Sequence, residues 1–168
     1  FAGFQHTAFR LELQDAYVEP CEQALLAAFL AGHPFPAADV PEMQAWYDQV
    51  ATQAREGKRV ERVRVHREPP TGYQRFERSL DKLNLAAGES ISYLTRQQAY
   101  AIGLLPAAGG RDWWLLDSSW LLLMSFDEDG QRIRNELTSD PAVVVQACAW
   151  RDLALHHAIP SRVSHVAA

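Results

Sequence analysis

Arg62, Arg64 and His66 occupy alternate positions, and Tyr73, Arg75 and Glu77 follow them across a short break, Glu68-Pro69-Pro70-Thr71-Gly72. Alternate residues of a strand project from one side, so the first three share a face. Guanidinium groups grip phosphate or carboxylate through two parallel hydrogen bonds. A strand end feeding a helix N-terminus also offers backbone N–H groups to an anion. The six residues therefore form a candidate pocket for a small anionic or phosphorylated ligand, with Tyr73 placed to stack or to donate a hydrogen bond. The plainer alternative is a polar sheet face whose arginines pair with acids of the neighbouring helix.

Other reactive groups carry less. His6, Arg10 and Glu12 form a second polar cluster with acid/base potential. Asp127-Glu128-Asp129-Gly130 lacks the spacing of a calcium loop and reads as a turn. His156 and His157 are adjacent near a helix end, point about 100° apart on a helix, and suit its negative pole. Cys21 and Cys148 stand far apart with no CxxC or Cys/His cluster, so no metal site is expected and both read as buried, reduced thiols. No phosphate-binding glycine loop, dinucleotide fingerprint, GxSxG elbow or HExxH helix occurs, and no cofactor is expected.

The elements that must position these residues follow from periodicity. Phe9, Leu11 and Leu13 alternate with polar residues as in a strand. Helices are expected at about 20–31, closed by Gly32, and at about 41–55, opened by Pro41 and closed by Gly57. Val60, Val63 and Val65 mark a half-buried strand over 59–67, and a helix follows over 73–87 up to Gly88. A short strand at 91–94 and a helical turn at 95–102 come next. Residues 112–116, 120–127 and 132–138 read as three strands joined by Asp117-Ser118-Ser119 and Glu128-Asp129-Gly130, an antiparallel meander. Asp140-Pro141 opens a last helix that runs to about His157. The order implies one α+β domain over 1–168, with its core at about 4–160. Its architecture is a central mixed sheet carrying a C-terminal meander, N-terminal helices and a closing C-terminal helix. Trp113 and Trp114 are neighbours on a strand and must face opposite sides; an exposed one would mark a partner surface.

Composition limits the function. The 168 residues are 48% hydrophobic and 22% charged, ample for one core. No apolar run reaches the ~18–20 residues of a membrane span, so no membrane role is expected. Net charge is −5, from 16 Lys and Arg against 21 Asp and Glu. That balance argues against direct DNA binding, which draws on phosphate neutralisation. The stretch from Arg55 to Lys82 holds nine basic residues and five acids, a net +4 that leaves −9 for the rest. A basic island on an acidic chain fits an anion or an acidic partner. Phe1–His6 lacks the pattern of a secretion signal, and the absence of an initial Met leaves room for a segment removed upstream.

Five segments, TAFRLELQDAY, RVRVHREPPTGYQRFE, LAAGESISYL, DWWLLDSSWLLLMSFDEDG and AWRDLALHHAIP, resemble a family of small actinobacterial domains of unknown function, of streptomycete type. The similarity runs from about Phe4 to Pro160. Where such families often carry a Phe-Trp-Leu-Phe-Asp-like strand, this chain has Trp113-Trp114-Leu115-Leu116-Asp117. The resemblance implies a cytoplasmic accessory working with a WhiJ-type helix-turn-helix regulator encoded beside it, and supplies no catalytic residues. The β-α-β unit followed by further strands also looks like a non-catalytic phospholipase-D-like half domain; the His-x-Lys pair of catalytic members is absent. Two functions follow as expectations. One is a non-enzymatic regulatory or interaction module serving a helix-turn-helix partner. The other is a binding protein or enzyme for an anionic small molecule at the basic strand-loop-helix.

Overall fold

The structure is a computed structural model and describes residues 3–162. The outermost residues of the 1–168 span, including Phe1 and Ala2 of the N-terminal stretch, lie outside that range. Seven strands form one mixed sheet in the order β6-β5-β4-β1-β2-β3-β7. They are β1 (Thr7–Glu12), β2 (Arg59–His66), β3 (Glu89–Thr95), β4 (Asp112–Leu116), β5 (Trp120–Phe126), β6 (Arg132–Thr138) and β7 (Ile159–Pro160). Strands β1, β2 and β3 run parallel, while β4, β5 and β6 form the antiparallel meander and attach to β1 through β4. Five helices cover the sheet: α1 (Gln23–Leu30), α2 (Pro41–Arg55), α3 (Gly72–Ala87), α4 (Arg96–Ala101) and α5 (Pro141–His157). The expected α+β class, central mixed sheet and closing helix are all present.

Strand alternation divides the sheet into two faces with separate cores. Phe9, Leu11, Val63, Val65, Trp113 and Leu115 point toward α4 and α5 and are almost fully buried. Ala8, Val60, Phe76, Trp114 and Met124 belong to the opposite core, beneath α1, α2 and α3. Covering both faces suits the parallel strands, which need helices on each side.

Local chemistry sets the helix that frames the site. Thr71 caps α3 by accepting from the Gln74 N–H at 3.1 Å, and the Gln74 side chain accepts from the Thr71 N–H at 3.1 Å. This reciprocal pair satisfies two orphan donors at the helix start. Gly88 ends α3 with φ 98°, and a Cβ there would stand 2.8 Å from the Ala54 Cβ. Glycine therefore allows both the left-handed turn and the close approach of α2. Asp140 caps α5 by accepting from the Ala142 N–H at 2.8 Å, as its sequence implies.

Candidate functional site

The face of the sheet beneath α2 and α3 carries charge at its centre. Parallel register sets Arg10 beside Arg62 and Glu12 beside Arg64, and Arg64 beside Tyr93 of β3. Glu12 is the hub. Its Oε1 lies 2.8 Å from Arg62 Nη1 and 3.1 Å from Arg10 Nε, and its Oε2 accepts from Arg64 Nε at 2.7 Å. Arg62 Nε also donates to Glu89 at 2.8 Å, and Arg64 Nη1 donates to Asp81 at 3.0 Å. Glu77 Oε1 stands farther off, 3.5 Å from Arg64 Nη2. At the start of β4, buried Asp112 accepts from Tyr17 Oη at 2.5 Å, from the Leu13 N–H at 2.9 Å and from Gln14 Nε2 at 3.1 Å.

Three guanidiniums thus sit among five carboxyl groups, Glu12, Glu77, Asp81, Glu89 and Asp112. The protonation of these acids follows from who faces them. Burial alone would raise Glu12, but Arg10, Arg62 and Arg64 hold it well below the usual carboxylate range. Burial pushes Glu77 up to about 8; Arg64 opposes that shift and Glu12 reinforces it. Burial likewise raises Asp112, with Arg10 pulling the other way. Glu77 therefore holds its proton at neutral pH and can donate a hydrogen bond where the other carboxylates accept.

A cavity of about 420 Å³ opens above this floor, between the sheet, the short turn at Cys21 and Glu22, and helices α2 and α3. Aromatic walls surround it: Tyr17, Trp46, Tyr47, Tyr73 and Trp114 all contribute. Arg62 lies over the rings of Trp46 and Trp114, at 5.8 and 5.9 Å from their centroids, which is cation–π range. Tyr73 donates to Glu22 at 2.5 Å from the wall formed by the short turn Pro20–Glu22. The size and the aromatic lining match a small-molecule site, and nine charged residues give it an unusually polar floor and rim.

The six residues expected in one pocket are divided between two openings. Arg62, Arg64, Tyr73 and Glu77 are buried and line the large cavity. His66 and Arg75 line a much smaller opening, which shares Glu12, Arg64 and Glu77 with the cavity. His66 Nδ1 is 2.9 Å from its neighbour's carbonyl, Arg67 O, and its ring meets Tyr93 edge-on. The basic strand face is buried rather than half-buried, because acids on β1, β3 and α3 neutralise it. An anion at Arg62 or Arg64 would have to displace an internal carboxylate.

Other expectations change too. Trp113 is 1% exposed and Trp114 5%, so neither presents a partner surface. They do face opposite sides, but each side is a core: Trp113 packs against Phe9, and Trp114 lies in the ring cluster with Trp46. Arg10 and Glu12 part from His6, whose backbone N–H instead donates to Asp117 at 2.7 Å. Cys21 and Cys148 are unbridged but half-buried rather than buried; Cys21 lies in the cavity wall. Of the acids that organise the floor, Glu12 was legible only as a member of the His6, Arg10 and Glu12 cluster, and Asp112 carried no local signal. Among the described residues no group of three or more His, Cys, Asp or Glu could hold a metal ion, and no helix is long and apolar enough to cross a membrane.

A family model described as a domain of unknown function, DUF6879, matches residues 1–163. None of the curated proteins compared matches the chain.

Proposed function

The chain belongs to the DUF6879 family, and from that premise we propose that it is a non-enzymatic module that binds a small polar molecule in the aromatic cavity. The observation that carries this reading is the cavity itself, about 420 Å³ over a floor of mutually paired charges. Paired charges in a packed site are held rigid, which favours selective binding. A catalytic reading finds less support. The arginines are committed to internal carboxylates, and the thiol in the wall, Cys21, is pushed up by burial and by Glu22 and Glu19, away from the reactive thiolate.

Native mass spectrometry of the chain purified from its own host, with thermal-shift measurement against a diverse fragment set, tests the proposal. A bound small mass that leaves on denaturation, or saturable stabilisation by a fragment, is the expected result. A bare chain that no fragment stabilises would overturn it.

A second reading, compatible with the first, is service to a helix-turn-helix DNA-binding partner in an actinobacterial cytoplasm, as the segment resemblance implies. The observation favouring an interaction role is exposed apolar surface around β5 and β6: Trp120 is 47% exposed, Leu137 61% and Ile133 63%. Exposed apolar residues grouped on two adjacent strands favour a partner. Co-purification from its own host with a helix-turn-helix protein, lost on Trp120→Ser with Leu137→Ser, is the expected result; a complex indifferent to both changes would place the contact elsewhere.

A further inference from the structure

The floor of the cavity is electrically settled, but its walls are not. Glu19, Glu22 and Glu42 line the opening and make no ion pair among the described residues. Arg132 of β6 lines the same opening. An acidic mouth over aromatic walls attracts positive charge, because ring faces carry negative potential. Burial raises the Glu22 carboxyl, the Tyr73 hydrogen bond opposes that rise and Glu19 adds to it; burial, with Glu22 and Glu19, raises the Cys21 thiol.

A second, independent feature asks for a hydrogen-bond donor or acceptor. Tyr47 is 7% exposed and forms part of the cavity wall, yet its hydroxyl has no hydrogen-bond partner among the described residues. A buried hydroxyl left unsatisfied costs free energy that a bound polar group would recover. The hydroxyl oxygen has lone pairs free for an N–H donor.

Resting on the small-molecule reading above, we propose that the cavity takes a small organic cation, a primary amine or guanidinium compound. Its charged head lies against Glu22 and the faces of the aromatic wall, with an N–H donated to the Tyr47 hydroxyl. The internal pairing of Arg10, Arg62 and Arg64 serves this role by removing the floor's repulsion. The anionic ligand first suggested by the basic strand would instead meet Glu22 and two further carboxylates at the mouth.

Isothermal titration of the full chain with four probes of similar length tests the class: putrescine, agmatine, butanediol and succinate. Saturable binding of putrescine or agmatine is expected, with no binding of succinate. Glu22→Gln should weaken the amine about tenfold while leaving the melting temperature nearly unchanged. Glu42→Gln, at an exposed position, gives the same direction with a smaller change and no risk to folding, and Tyr47→Phe should weaken the amine without abolishing it. Binding of succinate or butanediol in place of the amines overturns the cation assignment and leaves the cavity a ligand site. Binding of none of the four overturns the cation assignment as well, and the fragment screen then decides whether the cavity binds anything. Amine binding unchanged in both Glu22→Gln and Glu42→Gln also overturns it.

Discussion

Glu12 and Arg64 stand directly opposite one another on adjacent parallel strands, and the Arg64 Nε donates to the Glu12 Oε2 at 2.7 Å with both side chains buried. The pair exists only in this register. A slip of one residue would turn Glu12 toward the apolar core under α4 and α5 and bring Leu11 among the arginines. A buried ion pair is weak evidence of added stability, since desolvation offsets the attraction. Its value here is selectivity among registers of a parallel pair joined by 46 intervening residues.

Loss of the hub should be costly for that reason. Glu12→Gln keeps the shape but removes the charge that Arg10, Arg62 and Arg64 share. The expected destabilisation is about 3–5 kcal/mol, the usual consequence of stranding buried charge. Urea denaturation followed by far-ultraviolet dichroism measures it. A loss under about 1 kcal/mol would mean that water or Asp112 and Glu89 already satisfy the arginines.

Glu77 gives the fold a pH dependence with a defined sign. Its carboxyl is held at about 8 in the fold against an ordinary value of 4.5. The folded state thus binds the proton more tightly than the unfolded chain. Its contribution is complete below the unfolded value and is lost as pH rises through 8. The melting temperature should fall between about pH 6 and about pH 8.5, and Glu77→Gln should flatten that fall. Equal slopes in the two proteins would assign the proton elsewhere.

Asp117 works at the other end of β1. Its carboxylate accepts from the N–H groups of Gln5, His6 and Thr7 at 2.7, 2.7 and 2.9 Å. These donors hold it below the usual aspartate range despite its exposed setting. Asp117→Ala should cost on the order of 1–2 kcal/mol. The stabilisation is present above the ordinary aspartate range and disappears as pH falls through the lowered folded value. Hydrogen exchange at Thr7 and Ala8 reads the local effect, and unchanged protection there would refute the tethering role.

Gly130 closes the β5–β6 turn against the segment leading into the cavity. Its φ is 86°, a Cβ would lie 2.5 Å from Ala16 O, and its own carbonyl accepts from the Val18 N–H at 3.0 Å. Gly130→Ala should cost about 2 kcal/mol through strain and crowding. Because Tyr17 lies in the displaced segment, the variant should also weaken any cavity ligand. A variant as stable as the parent in guanidinium would show that the segment yields freely.

The sequence made some of this visible and hid the rest for physical reasons. The proline-rich break before α3, the Val60–Val65 alternation, the meander turns and the Asp140-Pro141 start are local signals, and each marked its element; Thr71, read only as part of that break, goes unrecognised as a cap. The placement of β1 between β4 and β2 is not local; it depends on contacts about a hundred residues apart, such as Leu13 with Asp112. Arg62 and Arg64 were legible as a shared face but not as buried, since alternation reads the same for a solvated face and for one neutralised by distant acids. Trp113 and Trp114 misled because the second face has its own helices. The two residues of β7 are too short for any periodicity.

The sheet ends in two unlike ways. On one side β7 contributes Pro160, paired opposite Ser92, which has no N–H to offer a further strand. On the other, β6 sets Arg132, Arg134 and Glu136 along an exposed border with a bulge at Ser125 and Phe126. Charge and irregularity there oppose templating by a stray strand, as the proline does at the far side. Lateral growth into fibrils or strand-exchanged assemblies is therefore disfavoured at both margins. Copies of this chain that associate are thereby directed to faces and loops rather than to extension of the seven strands formed by the described residues.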